Sequence, residues 1–374
     1  MRQENAQPRS KRFILTGLLT AILTMVLLLS ACQTTPASTT TTTAPPTESP
    51  TVEPTQTKET TDTSPATDPS ETPKKELREV VFALDWVPNT NHTGLFLARD
   101  LGYYEEEGLN VRIEQSDMAF IEMVASGAAH LGIASQEQVL QARASFAKVP
   151  VVSVAAVLQH NTSGFASPAD RKIESPKDFA GKIYSGWGTE LEMAFISYLM
   201  EKENADPDEV TVITQSATDY IASMETEADF AWIYWGWDGV NAELKDYPID
   251  FILLQDVDPQ LDFYSPTIIA SEALIEEDPD LIAAFLRATK RGYEKAIEDH
   301  ALAVDTLMKE APELDRELVI KSQEYLNTQY IADAEKWGEM KPERWTDFAG
   351  WLASEDILES EINVEEAYTL DFIP

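Results

Sequence analysis

The 374-residue chain has a single cysteine, Cys32, so it can close no internal disulfide and assemble no multi-thiolate metal site. Histidine is almost as scarce. The four residues, at 92, 130, 160 and 300, show neither H-x3-H nor H-E-x-x-H spacing, so no metal site is expected. Positive charge is also in short supply: 28 Lys and Arg stand against 65 Asp and Glu, a formal net charge of -37. That balance argues against nucleic acid and against a general anionic-lipid surface as partners. Between Gln33 and Pro73 large apolar residues are missing apart from Val52, and Thr, Pro, Ser and Ala dominate with scattered acids. Such a segment cannot bury enough surface to offset its ordering entropy, so residues 32–76 read as a disordered stalk, partly extended by its prolines.

Ahead of the stalk, Arg2, Arg9, Lys11 and Arg12 precede an apolar run from Phe13 to Leu29, then Ser30, Ala31 and Cys32. A basic head, a hydrophobic stretch and small residues before a cut site make a secretory signal over residues 1–31. L-S-A-C resembles a bacterial lipobox, in which the cysteine is acylated and becomes the new N-terminus. The competing readings are a plain signal peptide and an uncleaved anchor helix. On the lipobox reading the chain is lipidated at Cys32 and tethered to the cell membrane. A long stalk fits a thick wall, hence the extracellular face of a Gram-positive cell.

The remainder, about Leu77 to Pro374, is long enough for two lobes. Strand patterns are expected at 79–84, 109–114, 130–134 and 150–157, the last a continuous apolar run of the buried parallel type. Helices are expected at 94–107, 117–126 and 136–146. The rhythm repeats with strands at 182–185, 210–214, 229–234 and 250–254 and helices at 190–203, 218–225 and 239–245. Helical segments dominate from Asp278 onward. Two sets of alternating α/β units predict two lobes, with ligands beyond the carboxyl ends of the strands.

Those strand ends carry the chemistry. They read Asp85-Trp86-Val87-Pro88-Asn89-Thr90-Asn91-His92, Ser135-Gln136-Glu137, Ser185-Gly186-Trp187-Gly188-Thr189 and Tyr234-Trp235-Gly236-Trp237-Asp238. Each starts a helix, whose N-terminus offers free N–H groups and a positive dipole end. Converging on one cleft, they would make a polar pocket with aromatic walls.

F-A-L-D-W-V-P-N-T-N-H-T-G-L-F-L-A followed by G-Y-Y-E-E-E-G-L resembles the opening of the thiamine-pyrimidine-precursor family. V-A-S-G-A-A-H-L-G-I-A-S-Q-E-Q-V, S-G-W-G-T-E-L-E, D-F-A-W-I-Y-W-G-W-D-G and A-D-A-E-K-W-G-E-M-K-P-E-R-W are similar to its bacterial binding-protein branch. The family holds solute-binding lipoproteins of ABC importers and fungal pyrimidine synthases. The resemblance implies a bilobed type II periplasmic-binding-protein fold, with 77–160 and 266–374 as lobe 1 and 161–265 as lobe 2. It implies an ABC permease and ATPase as partners and a small heterocycle, formylaminopyrimidine or a relative, as ligand.

The synthase branch needs a Schiff-base lysine with a histidine four residues on. Aligning S-G-x-x-x-x-G puts Ala134 and Gln138 at those positions, and 261–266 lacks the synthase's cysteine cluster. An importer's binding protein without cofactor is therefore expected, and no enzyme. Other importers of this fold carry sulfonates, nitrate or riboflavin. A sulfonate or nitrate site wants a strand-end arginine or lysine, and the segments above hold neither.

The expected ligand-binding residues are Asp85, Trp86, Asn89, His92, Gln136, Glu137, Trp187, Gly188, Glu192, Tyr234, Trp235, Trp237, Asp238 and Tyr264. Carboxylates with aromatics suit a flat, amine-bearing ring. Several have a second reading. Asn89 suits a helix cap, His92 a structural hydrogen bond, and Glu192 the dipole of the helix it begins. Alternation sends neighbours among 232–237 to opposite faces, so only some of those aromatics can face the cleft.

Overall fold

The computed structural model describes residues 76–116, 118–214 and 219–374. The signal segment, Cys32 and all of the stalk but Glu76 lie outside the described residues.

Two sets of sheets form. The first holds five strands in the order β2-β1-β3-β10-β4, from β1 (Arg78–Leu84), β2 (Leu109–Gln115), β3 (Leu131–Ala134), β4 (Val151–Ala156) and β10 (Thr267–Ser271). β1 runs parallel to β2 and β3. Val80, Phe82 and Leu84 of β1 enter one core with Leu131, Ile133 and Phe285. Ala83, Ala134 and Ile269 point to a second core, which continues through Tyr264 to Phe165, Tyr184 and Phe230 of the other lobe. Burial on both faces explains the near-continuous apolar runs of the inner strands.

The second set comprises β5 (Ser163–Pro168), β8 (Ala231–Tyr234) and β9 (Ile249–Leu253) in the order β8-β5-β9, with β6 (Ile183–Gly186) parallel to β7 (Thr211–Thr214). A bridge between Tyr184 and Phe230 links the two.

Three sequence expectations are corrected. Among the described strands β4 pairs with β10, antiparallel, with single bridges from Ser153 to Tyr368 and Ala156 to Gly338, so its buried apolar run is not that of a parallel strand. Neither β5 nor β10 is expected from sequence: S-G-F-A-S-P has no β-branched residue, and T-I-I-A-S is too short to show a period. The helix expected at 94–107 breaks at Gly102, whose φ of 76° separates Thr93–Asp100 from Tyr103–Glu106.

The chain passes from the first sheet to the second between β4 and β5 and returns between β9 and β10, and these two crossings are tied together. Asp262 accepts from Asn161 N–H at 2.9 Å, meets His160 Nδ1 at 2.8 Å and pairs with Arg344 at 2.8 Å. Among the described residues no helix is long and apolar enough to cross a membrane, and no group of three metal-ligating side chains clusters.

Candidate ligand-binding cleft

Each predicted segment starts a helix as its sequence implies. Asn89 caps the short turn Thr90–His92, its Oδ1 accepting from Asn91 N–H at 2.8 Å. Ser135 precedes the helix Gln136–Ala144, and Gln138 Oε1 accepts from Ser135 N–H at 3.0 Å. Thr189 caps the helix Glu190–Lys202. Beyond β8, Trp235–Gly239 forms one π-helical turn, a form that accumulates at functional sites.

These segments enclose a cavity of about 610 Å³, within the usual range for small-molecule sites. Of the predicted residues, Asp85, Trp86, Asn89, Glu137, Trp187, Tyr234, Trp237 and Asp238 line it. The described lining has three carboxyl groups, three indoles and one phenol, with no lysine, arginine or histidine. Trp86 and Trp187 stand at the exposed rim, 37% and 52% accessible, and meet edge to face with centroids 6.2 Å apart.

Glu137 is buried, and Oε1 accepts a short hydrogen bond from the Ser135 hydroxyl. Oε2 is buried with no protein partner. Burial, reinforced by the nearby Asp85 charge, pushes the carboxyl up to about 7 despite the helix-start N–H groups and Ser135. Asp238 is likewise pushed up to about 7, by burial and then by the charge of Asp219. Burial raises the Tyr234 phenol, with the charges of Glu137 and Asp85 adding to it.

Six predicted residues lie outside the lining. Glu192 is buried with both oxygens in use: Oε1 accepts from the Tyr184 hydroxyl at 2.7 Å and Trp187 N–H at 3.0 Å. Its Oε2 accepts from Thr189 N–H at 2.7 Å and the Thr189 hydroxyl at 2.9 Å. It is the N3 half of a capping box, with no lone pair turned to the cleft. Gln136 is buried by a reciprocal clasp. Its Oε1 accepts from Tyr264 N–H at 2.9 Å while its own N–H donates to Tyr264 O at 2.8 Å. Tyr264 is fully buried; its hydroxyl accepts from Lys341 N–H at 2.7 Å, and Arg344 lies over its ring. Trp235, the first residue of the π-helical turn, packs instead on Phe251 with centroids 5.0 Å apart. Gly188 lies against Thr214. His92 sits behind the wall: Nδ1 accepts from Asn89 N–H at 3.2 Å, which leaves Nε2 to donate to Asp85 Oδ1 at 2.9 Å.

Other lining residues escape a strand-end search. Thr162 and Ser265 come from the crossings, Leu314 from the turn between the helices His300–Glu310 and Arg316–Leu326, and Leu326 from the end of the second. The helix Arg316–Leu326 reaches the cleft because Gly236 has no side chain; a Cβ there would lie 3.0 Å from Leu326 Cδ2 and 3.2 Å from the Tyr325 ring. Ser322 in that helix donates to Gly236 O and meets the Thr90 hydroxyl at 2.6 Å. Only the W-G-W glycine gave a sequence signal for this approach.

A family model described as NMT1/THI5 like matches residues 89–303. The chain is 28% identical to a formylaminopyrimidine-binding protein of Halalkalibacterium halodurans, over 78% of this chain and 90% of that one. It is 25% identical to the riboflavin-binding protein RibY of Chloroflexus aurantiacus, over 80% and 87%. It is 24% identical to a 4-amino-5-hydroxymethyl-2-methylpyrimidine phosphate synthase of Legionella pneumophila, over 79% and 92%. Among solved structures, the alkanesulfonate-binding protein SsuA from Xanthomonas axonopodis superposes with a TM-score of 0.61 at 14% identity, covering 79% of this chain and 99% of its own. The periplasmic aliphatic sulphonate binding protein SsuA from Escherichia coli gives 0.61 at 11% identity, covering 78% and 97%. These likenesses establish the bilobed type II periplasmic-binding-protein fold.

Proposed function

The chain belongs to the NMT1/THI5-like family, and on that premise we propose that it is the solute-binding component of an ABC importer, capturing a formylaminopyrimidine-like aminopyrimidine for a permease and ATPase. The observation that carries this is the lining of the cleft: three carboxyl groups and four aromatic rings with no described cation. Carboxyl oxygens take hydrogen bonds from ring amines, and indoles stack on a planar ring; charge-assisted bonds contribute about 1.5–3 kcal/mol each and stacking about 1–3 kcal/mol. An alkanesulfonate or nitrate would set its negative charge against the acceptor oxygens of Asp85, Glu137 and Asp238, with no lysine, arginine or histidine in the described lining to pair with it. The relative of known name with the highest identity given above is named for formylaminopyrimidine binding.

The protein acts as a carrier and not as a synthase. Ala134 stands where the resemblance puts the synthase lysine, and an alanine cannot form a Schiff base. Residues 1–31 serve as the export signal, Cys32 carries the lipid, and 32–76 spans the wall of a Gram-positive cell. Lobe 1 is 77–160 with 266–374, and lobe 2 is 161–265.

Riboflavin is the second reading, favoured by the cavity volume of about 610 Å³, which exceeds the needs of one pyrimidine ring. Mass spectrometry of ligand carried through purification, followed by calorimetry with aminopyrimidines and riboflavin, decides between them. A tightly bound sulfonate or nitrate would overturn both.

A further inference from the structure

Resting on the reading of the cleft as an aminopyrimidine site, the geometry points to Glu137 as the specificity-determining residue, pairing with the ligand through two hydrogen bonds that share one proton between its carboxyl group and a ring nitrogen.

Glu137 lines the cavity with its side chain held from below. Ser135 donates to Oε1, and the helix start fixes the backbone through the Ser135–Gln138 capping box. Oε2 is left as a buried oxygen without a partner, an arrangement that costs free energy until something fills it. The titratable groups facing it are Asp85, itself held by His92, and the Tyr234 phenol. Arg344 is turned away to Asp262 and the Tyr264 ring, and Lys341 to Asp333. A bare carboxylate therefore has no counter-ion in the described lining, consistent with a carboxyl pushed up to about 7.

With Oε1 already accepting from Ser135, the proton belongs on Oε2. The neutral acid then presents an O–H donor beside an oxygen with one free lone pair. Its complement is a ring nitrogen beside an exocyclic amine, the edge of a 4-aminopyrimidine. The proton sits on Oε2 or on the ring nitrogen; in both forms the pair holds one proton, and no other bond changes. Once the free carboxyl has lost its proton, Oε2 and the ring nitrogen oppose lone pair to lone pair. Binding must then take up a proton, and affinity falls by up to about tenfold per pH unit. Asp238 titrates in the same range with the opposite sign, since its ionisation favours an amine-bearing ligand, so a net fall is assigned to Glu137.

The test is calorimetry with 4-amino-5-hydroxymethyl-2-methylpyrimidine and its aniline analogue, which keeps the amine and lacks the ring nitrogens. It is run from about pH 6 to about pH 9 on the wild type, Glu137→Gln and Glu137→Ala. Glutamine imitates the neutral acid, its oxygen toward Ser135 and the amine, its NH2 toward the ring nitrogen. Expected are wild-type affinity that falls above about pH 7, a Glu137→Gln protein within about threefold of wild type at low pH with the fall abolished, and losses of about tenfold or more for Glu137→Ala and for the aniline analogue. A Glu137→Gln protein weakened about tenfold at every pH would overturn the shared proton in favour of a plain carboxylate. Flat wild-type affinity across the range, or an aniline analogue bound equally well, would overturn it without any variant. A wild type that binds no aminopyrimidine at all would instead remove the proposed function, and this pairing with it.

Discussion

Trp86, following β1, and Trp187, following β6, meet edge to face at 80° with ring centroids 6.2 Å apart, one from each lobe, at the rim of the cleft. Both remain substantially exposed. A planar ligand entering the cleft must pass or displace this pair, so tryptophan fluorescence should change on binding. Trp187→Ala should weaken an aminopyrimidine by about 1–3 kcal/mol if its ring stacks on the ligand. Undiminished affinity in that variant would place Trp187 at the rim only.

Glu192 is a structural carboxylate. With four donors on its two oxygens, Glu192→Gln loses charge-assisted bonds and leaves donors unmatched, at a cost of about 1.5–3 kcal/mol of stability. The melting temperature should fall by several degrees while ligand affinity at low temperature stays nearly unchanged. A large affinity loss with an unaltered melting temperature would contradict this.

His92 orients Asp85 from behind the wall. His92→Ala removes the acceptor of Asn89 N–H and the donor to Asp85 Oδ1. Both stability and ligand affinity should fall, each by about 1–3 kcal/mol. Calorimetry and thermal melts on one preparation separate the two losses; a loss of stability alone would show that Asp85 holds its place unaided.

Stability should decline as pH rises from about 5.5 to about 8.5. Glu137 and Asp238 have folded-state values raised to about 7, so the native state holds more protons than the unfolded chain above their ordinary range. Their neutral forms are favoured in the fold, and that contribution is lost progressively as pH climbs from their ordinary carboxyl range up to about 7, roughly 3 kcal/mol over that whole interval for Glu137 alone. His160, raised by its hydrogen bond to Asp262, adds in the same sense: its contribution is complete below the ordinary histidine range and is lost as pH passes its folded value. Glu137→Gln and His160→Gln should each flatten the melting-temperature profile. A profile that rises over this range would contradict the assignment.

Alkanesulfonates should not compete with an aminopyrimidine. The likeness to the solved SsuA structures is one of fold, and a shared fold does not by itself carry over a ligand. Competition calorimetry with an aliphatic sulfonate checks it, and displacement at comparable concentration would show that a cation absent from the described lining is supplied elsewhere.

The elements legible in the sequence are those whose own composition decides them. V-V-F-A-L, L-G-I-A and V-V-S-V-A-A announce strands because both faces are buried, and Ser135 and Thr189 announce helix starts because a hydroxyl can satisfy an orphan N–H. Capping chemistry could not say which way a carboxylate turns. Glu137 and Glu192 both stand in the first turn of a helix after a strand. One lines the cleft and keeps a buried oxygen without a protein partner, and the other is consumed by Tyr184, Trp187 and Thr189. The difference lies in Tyr184, whose position is set by the packing of β6.

Local pattern, which acts over a few residues, was thus enough for the alternating α/β rhythm, the acidic and aromatic strand ends and their lack of cations. Partners distant in sequence decided the rest. The antiparallel insertion of β10 between β3 and β4, the clasp of Gln136 on Tyr264 and the approach of Leu326 to Gly236 each join segments more than 80 residues apart. Contacts of that kind are made by closure of the whole chain, and periodicity carries no record of them.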